Sequence, residues 1–161
     1  MNNDRFVHTT YIRAGAEQLW RALTDPALTR RYWQVELRSD WRTGSPVVWV
    51  LADGTVIEDP EQVVIDATPY RRLAYTWHTF TPAFAASVGL GSTVHERLVA
   101  EGRSTVSFAL EPLGEVVKLT VVHEGPVPDS TVVALVSEGW PLVLSSLKTL
   151  VETGEPLPEP S

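Results

Sequence analysis

The chain has no cysteine. Disulfides, thiolate nucleophiles and every cysteine-ligated metal site are therefore excluded, and the composition fits a reducing compartment. Positive charge is the minority sign: 13 Lys and Arg stand against 20 Asp and Glu, for a formal net charge of −7. That balance argues against a protein built to grip nucleic acid or an anionic membrane, since both need a basic surface. The pairs Arg30–Arg31 and Arg71–Arg72 are too few to make a groove. No apolar run approaches the ~18 residues of a membrane span. Residues Met1 to Arg5 lack the apolar run of a signal peptide, so a cytoplasmic protein is expected. What the chain does have is tryptophan, six of them among 161 residues that are 43% hydrophobic, alongside a single methionine. Side chains of that size either fill a core or line a cavity.

The spacing of apolar residues predicts one α+β domain over residues 1–154 and a loose proline-rich tail over 155–161. Residues 5–13 are rich in β-branched and aromatic types and read as a strand. Ala16, Leu19, Trp20 and Leu23 then form a helical stripe. Asp25 and Pro26 offer a cap and a first turn for a second short helix through Trp33. Strands are expected at Pro46–Leu51, Val56–Asp66, Arg72–Thr79, Ser104–Glu111 and Val116–Glu124, joined by turn chemistry into an antiparallel sheet. Pro60 marks an edge or a bulge within the second. A long helix follows from Asp129 or Ser130, with apolar residues at Val132, Val136, Trp140, Val143, Leu147 and Leu150 and a stop at Gly154. Pro141 is expected to bend it, and its stripe needs the curved sheet as a partner.

Alternation along the strands sorts the candidate site residues. Val117, Leu119 and Val121 share a face with His123, which ends a core-facing row. Leu73, Tyr75 and Trp77 share another face, and by the same rule His78 points away from it. Trp20 reads as core and Trp41 as cover for a sheet edge. No two of His8, His78, His95 and His123 have the spacing of a helical metal-ligand pair, so no metal site and no cofactor are expected. Nor is there a Gly-x-Ser-x-Gly elbow, and Gly89-Leu-Gly91 is only half a phosphate loop. Residues 80–103 are longer than a hairpin needs. They read either as a lid, with Phe80 and Phe84 as its apolar contacts, or as a disordered loop or dimer contact.

The order of elements and several stretches resemble a known family. These are Tyr-Ile-Arg-Ala at 11–14, Leu-Trp-Arg-Ala-Leu-Thr-Asp-Pro at 19–26, Tyr-Trp at 32–33, Ser-Asp-Trp-Arg-Thr-Gly-Ser-Pro at 39–46, Tyr-Thr-Trp-His at 75–78, Leu-Thr-Val-Val-His-Glu at 119–124 and Gly-Trp-Pro-Leu-Val-Leu-Ser-Ser-Leu-Lys-Thr-Leu at 139–150. They are similar to bacterial SRPBCC proteins of the START/Bet v 1-like superfamily, in the subgroup related to the C-terminal domain of the activator of Hsp90 ATPase. The resemblance implies a helix-grip fold, a curved antiparallel sheet wrapped around the long C-terminal helix. It also implies a hydrophobic cavity between the two, which different members use to bind lipids or hormones or to cyclise polyketides. Trp33, Trp49, Tyr75, Trp77 and Trp140 are then the expected cavity liners, with Phe80, Phe84, His95 and His123 around them. A small hydrophobic or aromatic ligand is the expected partner, and a homodimer is compatible with the size of the domain. Two rival readings stand beside simple binding. One is a polyketide cyclase or dehydratase-like enzyme with His123 or His95 as proton handler. The other is a chaperone-linked interaction domain.

Overall fold

The computed structural model describes residues 5–159; the first four residues of the expected domain and the last two of the expected tail lie outside it. Strand β1 (Arg5–Ile12) opens the chain and is followed by helices α1 (Ala16–Thr24) and α2 (Pro26–Trp33). The Asp25 carboxylate accepts from Ala27 N at 2.9 Å with Pro26 in the first turn, so the expected cap between these helices is present. Next come β2 (Glu36–Arg38), β3 (Val48–Val50), β4 (Val56–Ile57), β5 (Val64–Thr68) and β6 (Arg72–Thr76). Helices α3 (Pro82–Val88) and α4 (Ser92–Glu101) lead to β7 (Thr105–Leu113) and β8 (Val116–Glu124), and α5 (Thr131–Thr153) closes the fold.

The strands make two antiparallel sheets, one of five strands in the order β1-β8-β7-β6-β5 and one of three in the order β2-β3-β4. In the larger sheet the inward row of β8, Val117, Leu119, Val121 and His123, is buried as alternation demands. Its partners across the ladder include Val106, Phe108 and Leu110 of β7. Helix α5 lays Val132, Trp140, Leu144, Leu147 and Leu150 on that surface and ends at Gly154, whose φ of 89° suits glycine. Its first turn is held by Ser130, whose hydroxyl accepts from Val133 N, and by the Glu101 carboxylate, which accepts from Thr131 N at 2.7 Å. At Gly125, where β8 hands over to this cap, an added Cβ would lie 2.5 Å from Ser130 Cβ, so only glycine fits.

The structure departs from the sequence expectations in several places. The single strand expected over Val56–Asp66 is two: β4 belongs to the small sheet and β5 to the large one. Between them Asp59 Oδ1 accepts from Glu61 N at 2.8 Å and turns the chain. Strand β2 carries too few residues to show a period and went unseen. Residues 80–103 are not a disordered loop; most of them form α3 and α4. Thr81 caps α3 by accepting from Phe84 N at 3.0 Å, Pro82 opens it, and Gly89 at φ 68° ends it.

Candidate functional site

Four elements each bring one tryptophan to the same place. Trp33 ends α2, Trp49 is the middle residue of β3, Trp77 follows β6, and Trp140 sits mid-way along α5. Ring centroids lie 5.3 Å apart for Trp33–Trp49, 4.7 Å for Trp49–Trp77, 5.2 Å for Trp33–Trp140 and 5.7 Å for Trp77–Trp140. Offset and edge-on contacts of this kind add to the gain from burying the rings. Tyr75 joins through Phe108, whose ring is 5.9 Å from its own and 5.9 Å from that of Trp140. The structure thus brings together all five residues expected to line a cavity. They fill it instead: the space left among Tyr32, Trp33, Tyr75, Phe108, Trp140 and Leu147 is about 10 Å³. That is room for about one water.

Two polar features lie inside this aromatic seam. His123 is fully buried and has both ring nitrogens engaged, by the Trp140 indole at Nδ1 (3.1 Å) and the Ser104 hydroxyl at Nε2 (2.9 Å). An indole N–H can only donate, so Nδ1 is the acceptor and Nε2 carries the proton. Burial, with His78 nearby, pushes the His123 pKa down to about 3, so the ring is neutral near neutral pH. The second feature is Trp49 Nε1, which is buried with no acceptor. A sealed, unpaired N–H is costly and therefore uncommon.

His78 was expected to face away from the pocket. It is instead 4% exposed, with its ring 4.7 Å from Trp49, 5.1 Å from Phe80 and 4.4 Å from Phe84. Strand alternation does not reach it, because β6 stops at Thr76 and the chain leaves the ladder there. Side chains then hold residues 77–80. Gln62, fully buried, accepts from Thr79 N at 2.9 Å and donates to Val47 O and Ile57 O. Arg103 donates to Trp77 O at 2.8 Å and Thr79 Oγ1 at 2.9 Å. His95 Nε2 donates to Phe80 O at 2.7 Å. Phe84 and His95 therefore fasten α3 and α4 onto this segment, while Phe80 borders an open cleft. Strand patterning offered no signal for Gln62 or Arg103, whose importance arises from the irregular backbone beside them.

Two open depressions flank the seam. A groove of about 350 Å³ runs between the end of α2 and α5, walled by Tyr32, Trp33, Leu142, Val143 and, from the tail, Leu157 and Pro158. Residues of the tail return along these helices, with Leu157 N donating to Ser146 Oγ at 3.2 Å and Arg31 donating to Gly154 O at 3.0 Å. A cleft of about 270 Å³ lies between the 77–80 segment and α4. Among the described residues no cluster of three or more metal-ligating side chains occurs. Nor is any helix there long and apolar enough to cross a membrane.

A curved antiparallel sheet with its long C-terminal helix is the arrangement shared with known proteins. The family model for activator of Hsp90 ATPase homolog 1-like protein matches residues 13–152. The chain belongs to this family. Among solved structures, protein MLL2253 from Mesorhizobium loti is 25% identical, with a TM-score of 0.68 over 91% of this chain and 96% of that one. DynU16, a protein of the dynemicin biosynthetic locus, is 22% identical at a TM-score of 0.71, over 95% of this chain but 49% of its own. The Aha1 dimer from Colwellia psychrerythraea is 19% identical at a TM-score of 0.65, over 93% and 97% of the two chains. No curated protein matches the chain. The family relation accounts for the helix-grip fold, and the likeness to DynU16 and to the Colwellia protein is one of fold.

Proposed function

We propose that this family member binds a small apolar or aromatic molecule between the sheet and α5, admitted by displacement of Trp33. The observation that carries the reading is shared lining. Tyr32, Trp33 and Val143 border both the outer groove of about 350 Å³ and the inner void of about 10 Å³. A half-buried indole at a helix end thus stands between an open groove and the aromatic seam. The groove is of ligand size, since small-molecule sites run from roughly 300 to 1,000 Å³. The unpaired Trp49 N–H supplies a hydrogen bond for an oxygen on the incoming molecule, while the rings around it supply apolar contact. A proton-handling role for His123 has no support in this arrangement, because both its nitrogens are occupied and its proton affinity is low. By analogy with the dimeric Colwellia relative, we extend the proposal to a homodimer in solution, which sedimentation analysis tests.

The test uses the tryptophans as reporters. In a titration with aminoanthracene, the indole N–H resonances of Trp33, Trp49 and Trp140 shift together and saturate, whereas that of Trp41, bonded to Thr24 O at 2.9 Å, stays fixed. Absence of saturation, or shifts confined to Trp20 and Trp41, overturns the proposal.

A further inference from the structure

The cleft between the 77–80 segment and α4 has no part in the ligand reading above, and it is bordered by a histidine with one ring nitrogen that the fold leaves unused. His78 Nδ1 lies 3.0 Å from Thr79 O. A carbonyl only accepts, so Nδ1 carries the proton and Nε2 presents a bare lone pair. Nε2 has no hydrogen-bond partner among the described residues, and it is not sealed, since Trp49 Nε1 alone there is both sealed and unpaired. His78 borders the cleft of about 270 Å³. Burial pushes its pKa down to about 4, which keeps the ring a neutral acceptor near neutral pH.

The surroundings are held rigidly. Gln62 and Arg103 pin Thr79 and Trp77, and the guanidinium, 23% exposed, has donors beyond the two it spends on Trp77 O and Thr79 Oγ1. Phe80, Leu98 and Val99 give the cleft an apolar wall. Charge narrows the choice of occupant. Asp59 Oδ1 is 3.7 Å from Arg103, and Glu61 borders the cleft, so an anion meets two carboxylates. A cation meets the guanidinium. A neutral hydroxyl meets neither difficulty: its O–H donates to a lone pair and its oxygen accepts from a guanidinium.

We propose that this cleft is a second binding site, separate from the tryptophan seam, for an uncharged molecule that carries a hydroxyl on a flat apolar body. Its hydroxyl bridges His78 Nε2 and Arg103, and its ring lies against Phe80, Leu98 and Val99.

The experiment compares two probes on the unaltered protein, para-cresol and para-methylanisole, in which a methyl group replaces the donor hydrogen. Para-cresol binds about tenfold more tightly, as one hydrogen bond to an otherwise unmet acceptor warrants. It moves the His78 Nε2 nitrogen resonance upfield and shifts the amides of Phe80, Val99 and Gly102, with no shift at the Trp33 indole. Equal affinity for the two probes overturns the proposal, as does an unmoved His78 nitrogen. Para-cresol shifts at Trp33 and Trp140 alone also overturn it, and leave the seam reading intact. A Val99→Trp variant supplies a second arm: Val99 is 59% exposed on α4, so a larger side chain there closes the cleft without entering the core. Para-cresol binding is lost in this variant while the spectrum stays folded; binding that persists with the same shifts overturns the assignment.

Discussion

The β7–β8 hairpin and the segment from Trp77 to Phe80 are neighbours built on opposite plans. In the hairpin Val106, Phe108, Leu110, Val117, Leu119 and Val121 form an apolar buried row that ends at His123, and the backbone pairs with the adjacent strand along the whole register from Thr105↔Glu124 to Leu113↔Val116. In the other segment β6 ends at Thr76, Trp77 N still donates to Ser104 O at 2.9 Å, and beyond it side chains from elsewhere meet the backbone. The first plan fills its interior with apolar bodies and closes it with one histidine whose two nitrogens are both bonded. The second must bring polar groups inside, and those groups leave atoms over, such as His78 Nε2, that a ligand can use. Regular structure here makes the wall, and irregular structure makes the chemistry.

The largest expected effect separates the two plans directly. Gln62→Leu removes three hydrogen bonds and strands Val47 O, Ile57 O and Thr79 N, so it lowers unfolding free energy by about 3–5 kcal/mol in urea titration. That rivals Leu119→Ala in the regular half, where loss of a fully buried side chain costs about 2–5 kcal/mol. A Gln62→Leu protein as stable as the parent would break the comparison.

Acid comes next. The pKa of folded His78 is depressed to about 4 and that of folded His123 to about 3, against 6.5 when unfolded. Below pH 6.5 the unfolded chain takes up protons that the folded one refuses, so the stabilisation present above that pH is lost as pH falls. Each histidine removes about 1.4 kcal/mol per pH unit, roughly 3 kcal/mol for the pair. The carboxylates of Asp59 and Glu152, whose pKa values are lowered by their hydrogen bonds, add their own loss only at more acid pH. Denaturant midpoints measured at pH 7, 6 and 5 test this, and His123→Gln should about halve the slope. An unchanged slope would show that the seam histidine does not titrate on unfolding as described.

A smaller effect sharpens the role of Arg103. Its two nitrogens reach Trp77 O and Thr79 Oγ1 together, which a lysine ammonium on a flexible stem does not reproduce. Arg103→Lys is expected to cost about 1–2 kcal/mol and to broaden the amide signals of residues 77–80 while those of β7 and β8 stay sharp. Smallest of all is a stop after Gly154. The tail contributes the Leu157 N to Ser146 Oγ bond and an exposed Arg31–Glu155 pair, so its loss costs about 1 kcal/mol or less by thermal unfolding. A larger loss would make the tail part of the folded unit.

Legibility followed the same division. The α5 stripe, the Asp25 cap, the Gly154 stop and the rows on β8 were readable because each depends on residues within a turn or two of one another. The split of 56–66 between two sheets was not, since a turn at Asp59 that hands the chain from one sheet to another has no period. Helix α3 did carry a local signal, Thr81 before Pro82, but its residues bury no face strong enough to produce a stripe. His78 was misassigned because alternation was extended past the end of the ladder.

Spacing and residue type alone determined the alternating strands, the capped helices and a supply of indoles large enough to fill an interior, because those properties rest on chain neighbours. Only the tertiary structure decided that Trp33, Trp49, Trp77 and Trp140 meet and close the space under α5. Their elements belong to separate helices and sheets, and how tightly such elements approach is set by the volumes packed between them. The free nitrogen of His78 was decided there too, since which polar atoms find partners is settled only when the elements pack together.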